Sequence, residues 1–248
     1  MTLAAPALER LRAARRIVTL TGAGISAESG LPTFRDPMTG LWARYRPEDL
    51  ATPEAFARQP DLVWRWYEWR RSLVAAAEPN TAHRALVALE RSCPDFTLVT
   101  QNVDGLHQRA GSPDVVELHG NLARTICSRE RIPVERWPAG QELPPPCPSC
   151  GAPLRPDVVW FGEALPAGAL HRATAAAAAC DVLLAIGTSG VVYPAAGLPA
   201  VAAAAGALIL VVNPEEVRVA GPAVHHLRGP AARVLPALVA AAFPGTLV

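Results

Sequence analysis

At 248 residues the chain is long enough for one large α/β domain with a smaller inserted module, and a net charge of +1 excludes a nucleic-acid-binding surface. Half the residues are hydrophobic, which excludes a disordered chain, and every basic residue other than histidine is arginine, with no lysine at all. Five unevenly spaced cysteines do not form a secreted disulfide framework; residues 1–16 lack an apolar signal core, so the expected compartment is the cytoplasm.

A first helix over about Ala4–Ala14 leads into a strand, Ile17–Leu20, that runs straight into the turn Gly22-Ala-Gly24. From Leu41 to Ser92 the periodicity is helical without strands: Pro53 and Pro60 open helices, and Asn80 caps a third with Ala82, Leu86 and Leu89 at helical spacing. Phe96–Val99 and Val115–Leu118 read as strands. Asn121–Leu154 is then a proline-rich insert holding three of the five cysteines. Alternation resumes with a helix Ala167–Cys180, a strand Val182–Ile186, a helix Pro194–Ala205, a strand Leu208–Val212 and a helix Ala231–Ala242. Val182–Val212 carries no charge, but Gly187-Thr-Ser189, Pro194, Pro199 and Gly206 cut it into pieces too short to span a bilayer, so no membrane is expected.

The rhythm predicts a doubly wound, parallel, Rossmann-like sheet built from 1–40, 94–120 and 155–248. A small domain is expected from a helical insert, 41–93, and a zinc-ribbon-like insert, 121–154. Ligands of such sheets bind beyond the carboxyl ends of the strands. Gly22, Gln101, His119, Gly187 and Asn213 each follow an expected strand, so five loops converge on one crevice.

Gly22 and Gly24 lack a Cβ, which lets the turn close and bring its N–H groups toward a diphosphate. With Ala27 they also fit the G-x-G-x-x-G/A fingerprint of dehydrogenases, but Gly30-Leu-Pro32 stops the following helix where a dehydrogenase continues to a second strand. Gly22-Ala-Gly-Ile-Ser26, Gly30-Leu-Pro32, Phe34-Arg35, Thr100-Gln-Asn-Val-Asp-Gly-Leu-His107, Glu117-Leu-His-Gly120, Val158-Val-Trp-Phe-Gly-Glu163, Gly187-Thr-Ser189 and Val212-Asn-Pro-Glu215 occur in this order. Together they resemble the sirtuins, the NAD-dependent protein-lysine deacylases, over nearly the whole chain.

The resemblance implies NAD as co-substrate and acylated lysine side chains of other proteins as partners, since the chain has no lysine of its own. It implies a first NAD loop of Gly22, Ala23, Gly24, Ser26 and Glu28, and a covering segment with Thr33, Phe34, Arg35 and Trp42. Gln101 would contact the ribose, and Asn102, Val103 and Asp104 the nicotinamide end; Gly187, Thr188 and Ser189 would hold phosphate or ribose oxygens. Asn213, Pro214 and Glu215 fall at the adenosine end, with Ala231 near the adenine. His119, with Asn102 and Asp104, carries the implied catalysis: a neutral imidazole takes a proton from a ribose hydroxyl, giving nicotinamide and 2′-O-acyl-ADP-ribose as products.

Tyr67 and Arg70 lie three apart on an expected helix, so a phenol and a guanidinium share one face and suit a carboxylate. They match the Tyr-x-x-Arg of the sirtuin branch that removes succinyl, malonyl and glutaryl groups; the plain alternative is a packed tyrosine beside a solvated arginine. Val158–Glu163 resembles the strand that pairs with substrate peptide, which places Val159 and Phe161 there. Sirtuins usually hold a structural zinc on two Cys-x-x-Cys pairs. Cys147-Pro-Ser-Cys150 is one such pair, but Cys127-Ser-Arg-Glu130 has glutamate for the fourth thiolate. Either Cys127, Cys147, Cys150 and Glu130 form a zinc site, or Glu142–Cys147 stiffens an insert without metal. The competing functions are a plain deacetylase or an enzyme that transfers ADP-ribose to protein, a non-catalytic NAD or ADP-ribose sensor, and a dehydrogenase.

Overall fold

The computed structural model describes residues 3–33, 43–137, 140, 142–219 and 221–246. Helix α1 (Ala5–Ala13) and strand β1 (Arg16–Thr21) are followed by α2 (Pro47–Leu50), α3 (Pro53–Arg58), α4 (Pro60–Ala76) and α5 (Thr81–Ser92). Then come β2 (Asp95–Thr100), α6 (Leu106–Ala110), β3 (Val115–Glu117), β4 (Gly120–Cys127) and β5 (Leu154–Val158). The chain continues through α7 (Ala167–Ala179), β6 (Val182–Ile186), α8 (Leu198–Ala204), β7 (Leu208–Asn213), β8 (Val224–Arg228) and α9 (Ala231–Ala242).

Six strands form one parallel sheet in the order β3-β2-β1-β6-β7-β8. β1 and β6 are buried almost along their whole length, as expected when helices cover both faces: β6 is wholly apolar, and β1 buries Thr19 and Thr21 among its apolar residues. On one face Leu11, Leu86, Leu89, Leu235 and Leu238, from α1, α5 and α9, pack against Ile17, Leu184 and Leu210. On the other, alanines of α7 and α8 (Ala173, Ala177, Ala202) lie on Val18, Leu183 and Ile209. The order of strands reverses between β1 and β6, the switch point where doubly wound sheets bind ligands.

The smaller module rests on α4. Its Trp66 and Tyr67 enter a cluster with Phe56, Leu122, Val158 and Trp160, while Trp64 packs against Cys127, Cys147 and Leu154. β4 and β5 pair antiparallel as a separate two-stranded sheet, Gly120 opposite Val158 and Cys127 opposite Leu154. Thr52 caps α3 by accepting the Ala55 N–H, and Asn80 with His83 forms a reciprocal capping box on α5. Among the described residues no helix is long and apolar enough to cross a membrane.

Three placements differ from expectation. α5, grouped with the helical insert, packs against α9 and the main sheet, because Leu86 and Leu89 face Leu98 and Leu235 there. Residues 155–158, placed with the main domain and not expected to form a strand of it, lie in β5, which pairs with β4 in the module. β8 was not expected; as an edge strand it buries only Leu227, so it carries no apolar run.

Candidate active site

At the switch point two loops touch. The Gly22 N–H donates to the Ile186 carbonyl and the Gly24 N–H to the Gly187 carbonyl, both at 2.9 Å. A Cβ on Gly24 would stand 2.7 Å from Gly187 Cα, and one on Gly187, whose φ is 59°, would collide with the backbone of Gly24 and Ile25. Glycine is needed there because backbone crosses backbone. This corrects the expectation that the Gly22 and Gly24 amides point at a diphosphate, since both are spent on the β6 loop. The short helix expected after them is a pair of 3₁₀ turns, Ala23–Ile25 and Ala27–Ser29.

Most of the expected polar residues meet in one network. Ser26 donates to Asp104 Oδ2 at 2.8 Å and accepts from Asn102 Nδ2 at 3.2 Å. Gln101 Nε2 donates to Thr188 Oγ1 at 3.0 Å, and Asn213 Nδ2 donates to the Thr188 carbonyl at 2.9 Å. The Glu215 N–H turns back onto Asn213 Oδ1, and Val103 accepts the Leu122 N–H. Ala23 and Ser189 are half-buried in the two touching loops, whereas Glu28 and Pro214 are exposed. Thr33 is half-buried at the edge of the described residues; Phe34, Arg35 and Trp42 lie outside them. Ala231 begins α9 with its side chain in the sheet core and does not join the network.

His119 sits in the connection between β3 and β4. Its Nδ1 is 2.8 Å from the Gln101 carbonyl. A carbonyl can only accept, so Nδ1 carries the hydrogen and Nε2 keeps its lone pair. Burial lowers the imidazole below its ordinary 6.5, against the opposing bond to Gln101, so the neutral form prevails at pH 7. Gly120, at φ 79°, follows directly, and any Cβ there would collide with the Asp157 carbonyl. The residue after the imidazole is thereby fixed as glycine. Asp104 is raised by burial, opposed by the Leu106 N–H, Ser26 and the charges of Arg70 and Arg109.

Behind this network lie two buried histidines that sequence reasoning missed. His107 Nε2 is 2.9 Å from Thr21 Oγ1, which donates to Thr100 Oγ1 at 2.8 Å; Thr100 Oγ1 also accepts the Asn102 N–H. The ring of His83 packs edge-on to His107 with centroids 4.9 Å apart. Burial, helped by Arg84, drives His83 down to about 4; burial, helped by His83, drives His107 to about 3. Above pH 6.5 both are neutral folded or unfolded. Between 6.5 and about 4 only the unfolded chain takes up the protons, so stability falls as pH falls, by about 1.4 kcal/mol per pH unit for each histidine. Denaturant unfolding at pH 7, 6 and 5 should show this loss; equal stability at pH 7 and 5 would contradict it.

The other end of the crevice is aromatic. Tyr67 is buried, its hydroxyl oxygen accepting Trp160 Nε1–H at 2.9 Å. The Arg70 guanidinium lies 5.6 Å from the Tyr67 ring centre and 5.0 Å from that of Trp66. Burial lowers Arg70, opposed by Tyr67 and by the charge of Asp104, which ties this end to the Asn102–Asp104 network. Past Val158 the expected peptide-pairing strand becomes a turn. The Val159 N–H goes to the His119 carbonyl and the Phe161 N–H to Ala51, each at 2.9 Å. Phe161 is nonetheless exposed, as are Val191, Val192 and Tyr193 after the β6 loop. These last three were not anticipated, although an apolar triplet beside Gly190 and Pro194 was visible as a signal.

The insert retains a metal-binding donor set. The ligand atoms of Cys127, Glu130, Cys147 and Cys150 all lie within 4.8 Å of one another. Cys127 Sγ and Cys150 Sγ are 3.5 Å apart, near the roughly 3.8 Å that two thiolates span on tetrahedral zinc. The amides of Cys150 and Ser149 hold the Cys147 thiol below its usual value, while Cys150, against the bond from Ala152, is pushed up by burial and the neighbouring thiols, as crowded sulfurs without a cation should be; Cys127 Sγ accepts the Glu130 N–H. These four residues fit Zn²⁺, which would tie the two turns of the module together. Protein purified without chelator is expected to carry one zinc per chain by elemental analysis, and to lose it more readily than a Glu130→Cys variant. Metal-free protein would favour the stiffened, metal-less insert.

The family model described as the Sir2 family matches residues 22–194. NAD-dependent protein deacylase 1 of Pseudomonas aeruginosa is 55% identical over 246 residues, covering 96% of this chain and 98% of that one. The NAD-dependent protein deacylase of Methylococcus capsulatus is 52% identical over 242 residues, covering 94% and 95%. Among solved structures, a Sir2 homologue in complex with NAD superposes with a TM-score of 0.90 at 45% identity over 99% of this chain and 96% of its own. A Sir2 protein with a p53 peptide and NAD⁺ superposes at 0.83 with 31% identity over 96% of this chain and 97% of its own. From the β1 turn to the loop after β6, and by relatives that align nearly end to end, this chain belongs to the Sir2 family.

Proposed function

We propose that the chain is an NAD-dependent protein-lysine deacylase whose preferred acyl groups, succinyl and malonyl, end in a carboxylate, with acetyl removed more weakly. The names of the relatives support the reaction. One observation carries the acyl preference: a buried phenol and a guanidinium lie side by side on α4, within the electrostatic reach of Asp104 at the catalytic network. A half-buried arginine is stabilised by an anion that brings its own charge, and a carboxylate accepts both donors at once.

The remaining residues divide the chemistry. His119, its Nδ1–H held by Gln101, presents Nε2 as the base that takes a ribose proton. Asn102 and Asp104, both bonded to Ser26, orient the nicotinamide end; Gln101, Thr188 and Asn213 form the ribose and phosphate side. Gln101 belongs to both groups, its carbonyl fixing the base and its amide the Thr188 hydroxyl. Val159 and Phe161, with Val191–Tyr193, are the surfaces offered to the peptide.

A one-pot competition tests the preference. Equimolar succinyl-, malonyl- and acetyl-lysine forms of one peptide, reacted with NAD, report the ratios of kcat/KM directly. Succinyl and malonyl are expected to be consumed at least about tenfold faster than acetyl, the factor of one charge-assisted hydrogen bond. Equal rates, or acetyl first, would leave a plain deacetylase.

A further inference from the structure

We infer that Trp160 is a positioning residue of the acyl pocket: its indole N–H orients the Tyr67 hydroxyl so that the phenol gives its hydrogen to the carboxylate of the substrate's acyl chain. The inference rests on the pocket reading above and adds a residue to it.

Both polar neighbours of the Tyr67 hydroxyl are donors. Tyr67 is 1% exposed, so its hydroxyl is settled by its neighbours and not by bulk water. Trp160 Nε1–H reaches the phenol oxygen at 2.9 Å, and an indole nitrogen donates but never accepts. The Arg70 guanidinium, 5.6 Å from the Tyr67 ring centre, is also donor-only. The phenol oxygen accepts the indole N–H, and neither neighbour can accept its single hydrogen. The ligand that suits this arrangement is an acceptor with no hydrogen of its own, which a carboxylate is and a methyl group is not.

Trp160 is itself held on every side. Arg155 stacks over the indole with its guanidinium carbon 3.3 Å from the ring centre, and Phe56 packs at 5.1 Å. Arg155 makes a two-pronged pair with Glu163, at 2.7 and 2.8 Å, and donates to the Val158 carbonyl at 2.8 Å. Glu163 Oε2 in turn accepts the Trp160 N–H at 2.8 Å, closing the turn Trp160–Glu163 on itself. An ion pair between a buried arginine and a half-buried glutamate thus fixes both the backbone and the ring plane of the tryptophan, and with them the direction of its indole N–H. The charge of Arg155 also acts on Tyr67 together with that of Arg70, so the phenol lies in a positive environment.

Trp160→Phe keeps an aromatic ring under Arg155 and removes the N–H together with part of the indole, a packing loss that weighs on both peptides alike and cancels in their ratio. The succinyl-to-acetyl ratio of kcat/KM is expected to fall about fivefold to tenfold, the factor of one hydrogen bond, chiefly through KM for the succinyl peptide. Adding Tyr67→Phe to Trp160→Phe should lower the ratio no further than Tyr67→Phe does alone, since both act through one hydroxyl. An unchanged ratio, or equal loss on both peptides, would overturn the inference and reduce Trp160 to packing. Should Trp160→Phe fail to fold, Tyr67→Phe decides alone: a variant that keeps the succinyl preference overturns it. If the wild-type enzyme shows no such preference, the pocket reading fails first, and Trp160 has nothing to position.

Discussion

Replacing His119 with alanine is expected to lower NAD-dependent deacylation by roughly 10²- to 10⁴-fold, the usual contribution of a positioned base. The imidazole is poised for this one task. The Gln101 carbonyl fixes Nδ1 as the protonated nitrogen, burial keeps the ring neutral, and Nε2 keeps the lone pair that the proposed base requires. Its side chain is only half-buried and lies outside the hydrophobic clusters, so the variant should unfold at nearly the wild-type denaturant midpoint. In the wild type, kcat/KM should be flat above pH 6.5 and fall as pH drops through the lowered imidazole value, because only the neutral ring accepts a proton. A His119→Ala variant with more than a trace of turnover, or a rate that rises on acidification, would remove the residue from the mechanism.

Arg70→Met should cost the succinyl peptide about 2–4 kcal/mol of transition-state binding, on the order of 30- to 1,000-fold in kcat/KM, and the acetyl peptide much less. The size follows from burial, since a carboxylate brought against Tyr67 without its cation has lost water and gained no charge in return. Methionine preserves length and packing against Trp66, so the comparison isolates the charge. Equal losses on both peptides would make Arg70 a structural residue of α4.

Strands buried on both faces were legible: β6 and β7 are almost wholly apolar and β1 is apolar but for its threonines and Arg16, and each was expected within a residue or two. β8 was not, because an edge strand with one inward side chain has no pattern to read. The glycines of the first turn were legible as a turn, but not their reason, which lies in a loop more than a hundred and sixty residues later. The partners of α5 and β5 were hidden in the same way: periodicity reveals an apolar face and not what covers it. At the site, Ser26, Gln101, Asn102, Asp104, His119, Thr188 and Asn213 were all named from motifs, and they do meet. His83 and His107 were overlooked because only the topology sets their rings together, and the Trp160–Tyr67 bond joins residues 93 apart.

Transfer of an acyl group from lysine to ADP-ribose is tested by mass spectrometry of a succinyl-lysine peptide incubated with the enzyme, with and without NAD. Succinyl should be lost only with NAD, with one nicotinamide released per lysine freed and 2′-O-succinyl-ADP-ribose as the co-product. Deacylation without NAD, or free succinate formed with no acylated ADP-ribose at any time, would contradict it.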